Sequence, residues 1–193
     1  MKKSLPVVDV VKDGIEVLKL NKVQMSHIAH DPKATVWAFG ILGLPFVVNI
    51  LLAMFQETTF MYLQVKFLLI PLVTMVGCIF LMSFVAQKVF HAKGDHMAFF
   101  RVIAYAGIVT WLSVIPFVLS LFGLGDVFRL FNLVNLVAGV WMLVVTYTFL
   151  IDYYKLNQQN AIITIVLGVV GASILQSVLG RALIGPFYKL MYL

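Results

Sequence analysis

From Ala34 onward the chain alternates long apolar runs with short polar links. The runs cover 34–55, 60–89, 99–122, 127–151 and 161–184. Each exceeds the ~20 residues that a helix needs to cross a hydrocarbon core of about 30 Å. The links, 56–59, 90–98, 123–126 and 152–160, are short enough to make successive helices antiparallel neighbours. The second run is long enough to tilt or to extend past the membrane. In lipid every backbone polar group must be satisfied within the protein, which leaves the helix as the spanning form for such runs. The pattern therefore predicts an all-α integral membrane bundle of five transmembrane helices over 34–185, with a short tail at 186–193.

Residues 1–33 form a polar arm with a different pattern. Val8, Val11, Ile15 and Leu18 recur on one helical face, and Asp9, Lys12, Asp13, Glu16 and Lys19 fall on the other. Ser4 suits the cap of this helix and Pro6 its first turn. The arm is expected to be an amphipathic helix lying on the membrane surface; a helix that docks on a partner is the rival reading. Asp31 and Pro32 then cap and open the next helix. The basic start is followed by acidic and lysine-rich sequence rather than a short apolar core, so no cleavable signal peptide is expected.

Composition supports the membrane reading. The 193 residues are 62% hydrophobic and 11% charged, with mean hydropathy +1.03, against about 25% charged in a soluble domain. The formal charge of +6 follows the membrane rather than any nucleic-acid surface. With a cytosolic N-terminus, ten of the fourteen basic residues lie inside: six lysines of the arm, Lys88, Lys93, Arg101 and Lys155. Lys66, Arg129, Arg181 and Lys189 lie outside. Basic residues concentrate on the cytosolic side, so the N-terminus is expected there and the C-terminus outside. Rings at the run ends agree: Phe90, Phe99, Phe100, Tyr153 and Tyr154 at the inner boundary, and Phe55, Tyr62, Phe128, Phe131, Phe187 and Tyr188 at the outer.

Chemistry-bearing residues are sparse. No Asp, Glu, Lys, Arg or His lies near the middle of a run, and Lys66, Lys88, Arg101, Arg129 and Arg181 can snorkel to an interface. That counts against a proton-driven transporter. Cys78 can form no internal disulfide and reads as a small buried apolar residue. His27, His30, His91 and His96 stand near Asp31 and Asp95, but their spacing is a weak metal signal and solvated loop histidines fit it better. No metal or cofactor is expected. There is no GxSxG, HExxH, phosphate-binding glycine loop, CxxC or intramembrane carboxylate pair, so no catalytic residue is proposed. Arg129, Asn132 and Asn135 recur every three residues, and Gly168, Ala172, Gln176 and Gly180 every four. These are helix-packing or polar-path positions. Pro45, Pro71 and Pro116 lie inside three runs and should kink them.

The stretch 90–116 carries a family resemblance. A loop with Gly94, then Arg101-Val102, Tyr105-Ala106 and Ile115-Pro116 inside an apolar run, resembles the Yip family of Ypt/Rab-interacting multi-pass membrane proteins, which share the Yip-one domain. The likeness runs from about Leu20 to Ile184. It implies a five-helix bundle with a cytosolic N-terminus and no catalytic activity. Eukaryotic members are linked with small GTPases and with vesicle traffic between endoplasmic reticulum and Golgi. This chain has a shorter arm and lacks their Asp-Leu-Tyr-Gly-Pro motif, which implies a prokaryotic member in the inner membrane. The expected function is a non-enzymatic scaffold or adaptor in membrane organisation or trafficking. The alternative is a small transporter or channel for a neutral or lipid-like solute. Candidate cytosolic docking residues are Gly94, Asp95, His96 and Arg101. Candidate intramembrane packing or polar-path residues are Asn132, Asn135, Gly168, Ala172, Gln176 and Pro116. Expected partners are the lipid bilayer and other membrane proteins or a second copy of the chain, and no nucleic acid.

Overall fold

A computed structural model gives the structure of the protein and describes residues 6–54, 69–122 and 127–191. Ser4, Phe55, Tyr62, Lys66, the links 56–59 and 123–126 and the first part of the second run lie outside the described residues, as do the side chains of Phe128, Phe187, Tyr188 and Lys189. In chain order the elements are α1 (Pro6–Leu18), α2 (Lys22–His30), α3 (Ala34–Met54), α4 (Ile70–Lys88) and α5 (His96–Ala106). A 3-10 stretch (Gly107–Ser113), α6 (Val114–Leu121), α7 (Val127–Asp152) and α8 (Gln158–Met191) follow. Among the described residues, four stretches are long and apolar enough to cross a membrane, Ile70–Lys88, His96–Pro116, Arg129–Asp152 and Gln158–Ala182, and Ala34–Val48 is a shorter apolar helix. The protein is an all-α, multi-pass integral membrane bundle.

The helix α5 is its hub. Residues 98–106 are buried apart from Arg101, and Phe99 and Phe100 are wholly so. A helix that is apolar on every side must be enclosed on every side, and α1, α2, α3, α4 and α7 all pack on this one. Phe100 stacks on Phe80 of α4 and meets Phe39 of α3 at a tilt, with ring centroids 5.5 and 4.7 Å away. Phe99 meets Phe149 and Tyr154 at 6.0 and 5.6 Å. Packing is looser farther along the bundle, where Leu44, Leu133, Leu136, Val166 and Ile174 are exposed, as lipid-facing residues are.

The third span is not one continuous α-helix. It tightens into the 3-10 stretch, which ends shortly before Pro116. Pro116 has no N–H to close an α-turn and its ring crowds the carbonyl four residues back; a 3-10 run ahead of it absorbs the misfit. Gly107 opens this stretch, and any Cβ there would stand 2.6 Å from Leu42 Cδ2, so the glycine lets α3 pass close.

Helices α4 and α8 pair antiparallel. Gly77 faces Leu175, Gly171 faces Leu81 and Gly168 faces Met82. Small residues at such crossings let backbones approach where no hydrophobic drive exists. At the arm end of the bundle, α4 and α7 close in the same way. Residues His91 and Lys155 adopt φ of 54° and 57°, and the amides of Ala92 and Leu156 reach back to Ala86 and Leu150 carbonyls at 3.0 and 3.1 Å. Each turn then supplies an Asx cap to the next helix: Asp95 for α5 and Asn157 for α8.

The arm differs in one respect from its expected packing. Val10, Gly14 and Val17 form the face of α1 that packs on the bundle, while Val8 and Ile15 stay 43% and 42% exposed. Gly14 is the reason. Its bare backbone lies against the Tyr105 carbonyl and Ile108, where a Cβ would come within 3.2 Å of both. The helix thus shows three faces: Val10–Gly14–Val17 to protein with Val11 half-buried at its edge, Val8 and Ile15 open and apolar, and Asp9–Lys12–Glu16 polar.

Candidate functional site

The site is built around the turn into α5. Asp95 caps this helix with both carboxylate oxygens, accepting from the Met97 and Ala98 amides at 3.2 and 3.1 Å. A short acceptor there satisfies amides with no helical partner, and its charge suits the positive helix end. Gly94 precedes it, beneath the ring of Tyr154; a methyl at Gly94 would stand 2.5 Å from Tyr154 Cε1 and Cζ. The Tyr154 hydroxyl donates to the Asp95 carbonyl at 2.8 Å. That leaves Ser83 Oγ to donate to Tyr154 at 3.1 Å and to accept from His96 Nδ1 at 2.9 Å and Gln87 Nε2 at 3.2 Å. This arrangement satisfies every member and assigns the imidazole proton to Nδ1. Burial pushes the Tyr154 phenol above its ordinary 10.0, against the hydrogen bonds of Ser83 and Gln87, which lower it.

Three long donors tie off carbonyls that the helices leave open. Arg101 does not run out along lipid. Its Nη1 donates to the Ala29 carbonyl in the last turn of α2 at 2.6 Å, and its Nε to Thr35 Oγ1 in the first turn of α3 at 2.8 Å. The guanidinium therefore clamps the junction between arm and first span, at a helix end that favours a cation. Trp111 Nε1 donates to the Ile41 carbonyl at 2.9 Å. That carbonyl sits four residues before Pro45, which has no N–H to offer it. Trp141 Nε1 donates to the Leu18 carbonyl at the end of α1 at 3.0 Å.

Further contacts fix the arm. Lys22 pairs with Asp152 at 3.0 Å, an exposed pair contributing about 0–1 kcal/mol. Gln24 donates to Asp13 at 2.8 Å, and burial raises the Asp13 carboxyl above its ordinary 3.8, partly offset by nearby His27. His30 Nδ1 bonds the Ser26 carbonyl at 2.7 Å, and its ring meets Tyr153 edge-on at 5.6 Å. Among the described residues, no three of His, Cys, Asp and Glu converge.

Gly94, Asp95, His96 and Arg101 thus lie at one end of the bundle, each with an internal contact, while the loop 91–95 is exposed except for Ala92. The intramembrane candidates are dispersed. Gly168 packs on Met82, Pro116 is buried and Asn132 is exposed. Asn135 donates to the Phe131 carbonyl at 2.9 Å and lines a cavity of about 420 Å³ with Pro45, Pro71, Met75, Thr110 and Met142. Ala172 and Gln176 line a second, of about 270 Å³, with Pro71, Thr74, Met75 and Met142. Sequence reasoning missed the Ser83–Tyr154 pairing, because 71 residues separate them and neither carries a motif. It also missed Trp111, although a proline within a span signals a carbonyl in need of a donor.

No curated protein and no solved structure matches the chain. The family model for the Yip1 domain does, over residues 20–180, a stretch that takes in the arm junction, the capped turn, the hub helix and most of α8. With its Arg101 clamp and Asp95 turn inside that match, the chain belongs to the Yip1 domain family.

Proposed function

We propose that this protein is a non-enzymatic scaffold or adaptor that organises other proteins at the membrane. In this reading it sits in a prokaryotic inner membrane, with N-terminus and arm in the cytosol and C-terminus outside. The loop 91–95 and the arm form its docking face. One observation carries the reading. Asp95, His96, Arg101 and Tyr154 are each engaged in fixing the shape of the turn and the arm. Around them Lys33, Lys88, Lys93 and Lys155 remain exposed. A rigid frame with a basic rim serves recognition by an acidic partner surface. The test is co-purification of the full chain from native membranes, beside a Lys93→Glu/Lys155→Glu form. A reproducible protein partner retained by the wild type and lost by the charge-reversed form is expected. A partnerless monomer in several mild detergents would refute the reading.

A further inference from the structure

We propose that the cleft between α4, α7 and α8 binds an acyl lipid, its ester carbonyls held by Thr74 and Gln176 and a hydrocarbon chain lying in the adjoining cavity. This goes beyond a scaffold role. The two cavities share Pro71, Met75 and Met142, so they form one cleft with two ends. Together they reach the scale of about 300–1,000 Å³ at which proteins hold small ligands.

The polar groups separate those ends. Hydroxyls within a membrane helix normally bond a carbonyl one turn back, and here Thr146, Thr148, Ser173 and Ser177 do so at 2.7, 3.0, 2.9 and 2.9 Å. In the larger cavity the Thr110 hydroxyl donates to the Gly107 carbonyl at 2.6 Å, and the Asn135 amide donates once, to the Phe131 carbonyl at 2.9 Å. Thr74 is different. It is 8% exposed, its Oγ1 is buried without a partner, and it lines the smaller cavity. Gln176 lines that cavity from α8, is exposed within a spanning segment, and has no hydrogen-bond partner among the described residues. An unpaired hydroxyl and amide in hydrocarbon are costly unless something bonds them.

The chemistry of the gap defines its occupant. Thr74 and Gln176 line a mostly apolar wall, and no charged residue lines either cavity. The ligand must offer neutral acceptors and carry enough hydrocarbon to fill the second end. Esters of an acyl lipid meet both conditions, and the exposed Gly139 and Leu143 at the rim leave a sideways entry from the bilayer.

The experiment uses the full chain in phosphatidylcholine liposomes carrying a trace of phosphatidylcholine with a diazirine in its acyl chain. After irradiation and digestion, adducts are expected to concentrate on the cavity residues Met75, Ala138 and Met142. A Thr74→Val/Gln176→Leu form, which keeps volume and apolar packing, should lose about fivefold of that label, and an ether-linked probe should label the wild type about as weakly. Met75→Trp, which fills the junction, should abolish label at Met142 while leaving the outer face of α8 labelled. Label spread evenly over Val166, Ile174 and the rest of that face would overturn the proposal. Cavity label unchanged by the double substitution and by the ether probe would do so as well, even were Met75→Trp to fail to fold.

Discussion

The contact between Gly94 and Tyr154 is the sharpest place to perturb the turn. Gly94→Ala puts a methyl 2.5 Å from two ring carbons of a buried tyrosine, and a ring edge held by Phe99 and Phe149 has little room to move. Overpacking of this kind costs about 1–3 kcal/mol. Displacing the ring also strains its 2.8 Å bond to the Asp95 carbonyl and leaves Ser83 short of a partner, which adds about 1 kcal/mol. A chain of this size loses about 2–4 °C of melting temperature per kcal/mol, so a fall of roughly 5–12 °C is expected in a mild detergent. In a Tyr154→Ala background the obstructing ring is gone. There Gly94→Ala should cost less than about 1 kcal/mol, a coupling typical of residues in direct contact. Equal losses in the two backgrounds would show that Gly94 is required for some other reason, such as backbone freedom, and would refute the packing argument.

Other substitutions probe the remaining supports. Trp111→Phe should cost about 1 kcal/mol by orphaning the Ile41 carbonyl, and much less beside Pro45→Ala, which restores an N–H to that carbonyl; a thermal-melt cycle of the two measures the difference. Arg101→Met should cost about 2 kcal/mol and expose the junction at Lys33 to trypsin in intact proteoliposomes, while Arg101→Lys should recover only part because it lacks the fork that spans Ala29 and Thr35. Burial holds the Asp13 proton above its ordinary 3.8, so the folded state binds that proton more tightly than the unfolded one. The stability Asp13 contributes is therefore complete below about pH 4 and lost as pH rises through the folded value. Asp13→Asn should flatten that part of the melting profile and leave the neutral-pH protein as stable or more so, since Asn keeps an oxygen for Gln24.

An all-α membrane bundle was legible because lipid imposes a length and a composition that hydropathy reads directly. So was a break near Pro116, whose missing N–H follows from its chemistry alone. The face of α1 was not, because its apolar residues cover two adjoining strips and the wheel cannot say which meets protein. Only Gly14, lying against a carbonyl of α5, marks the protein side. Arg101 reads in sequence as a charge near a span end, equally suited to snorkelling. Its clamp on Ala29 depends on a contact across 72 residues. Gly94 reads as a flexible loop glycine, whereas in the fold it makes room for a ring sixty residues on. The polar stripe of α8 pointed to Gln176 but not to Thr74, whose missing partner becomes conspicuous only once the bonds of Thr110 and Thr146 beside the same cleft are seen.

The most direct test of a docking face fixed by the hub helix is site-specific photo-crosslinking in living cells. A photoreactive residue replaces Lys93 in the exposed loop, with Val137 on the lipid-facing side of α7 as the comparison. A discrete protein adduct from position 93, absent from position 137 and lost in Arg101→Met, is predicted. Adducts of the same pattern from both positions, or none from position 93, would contradict it.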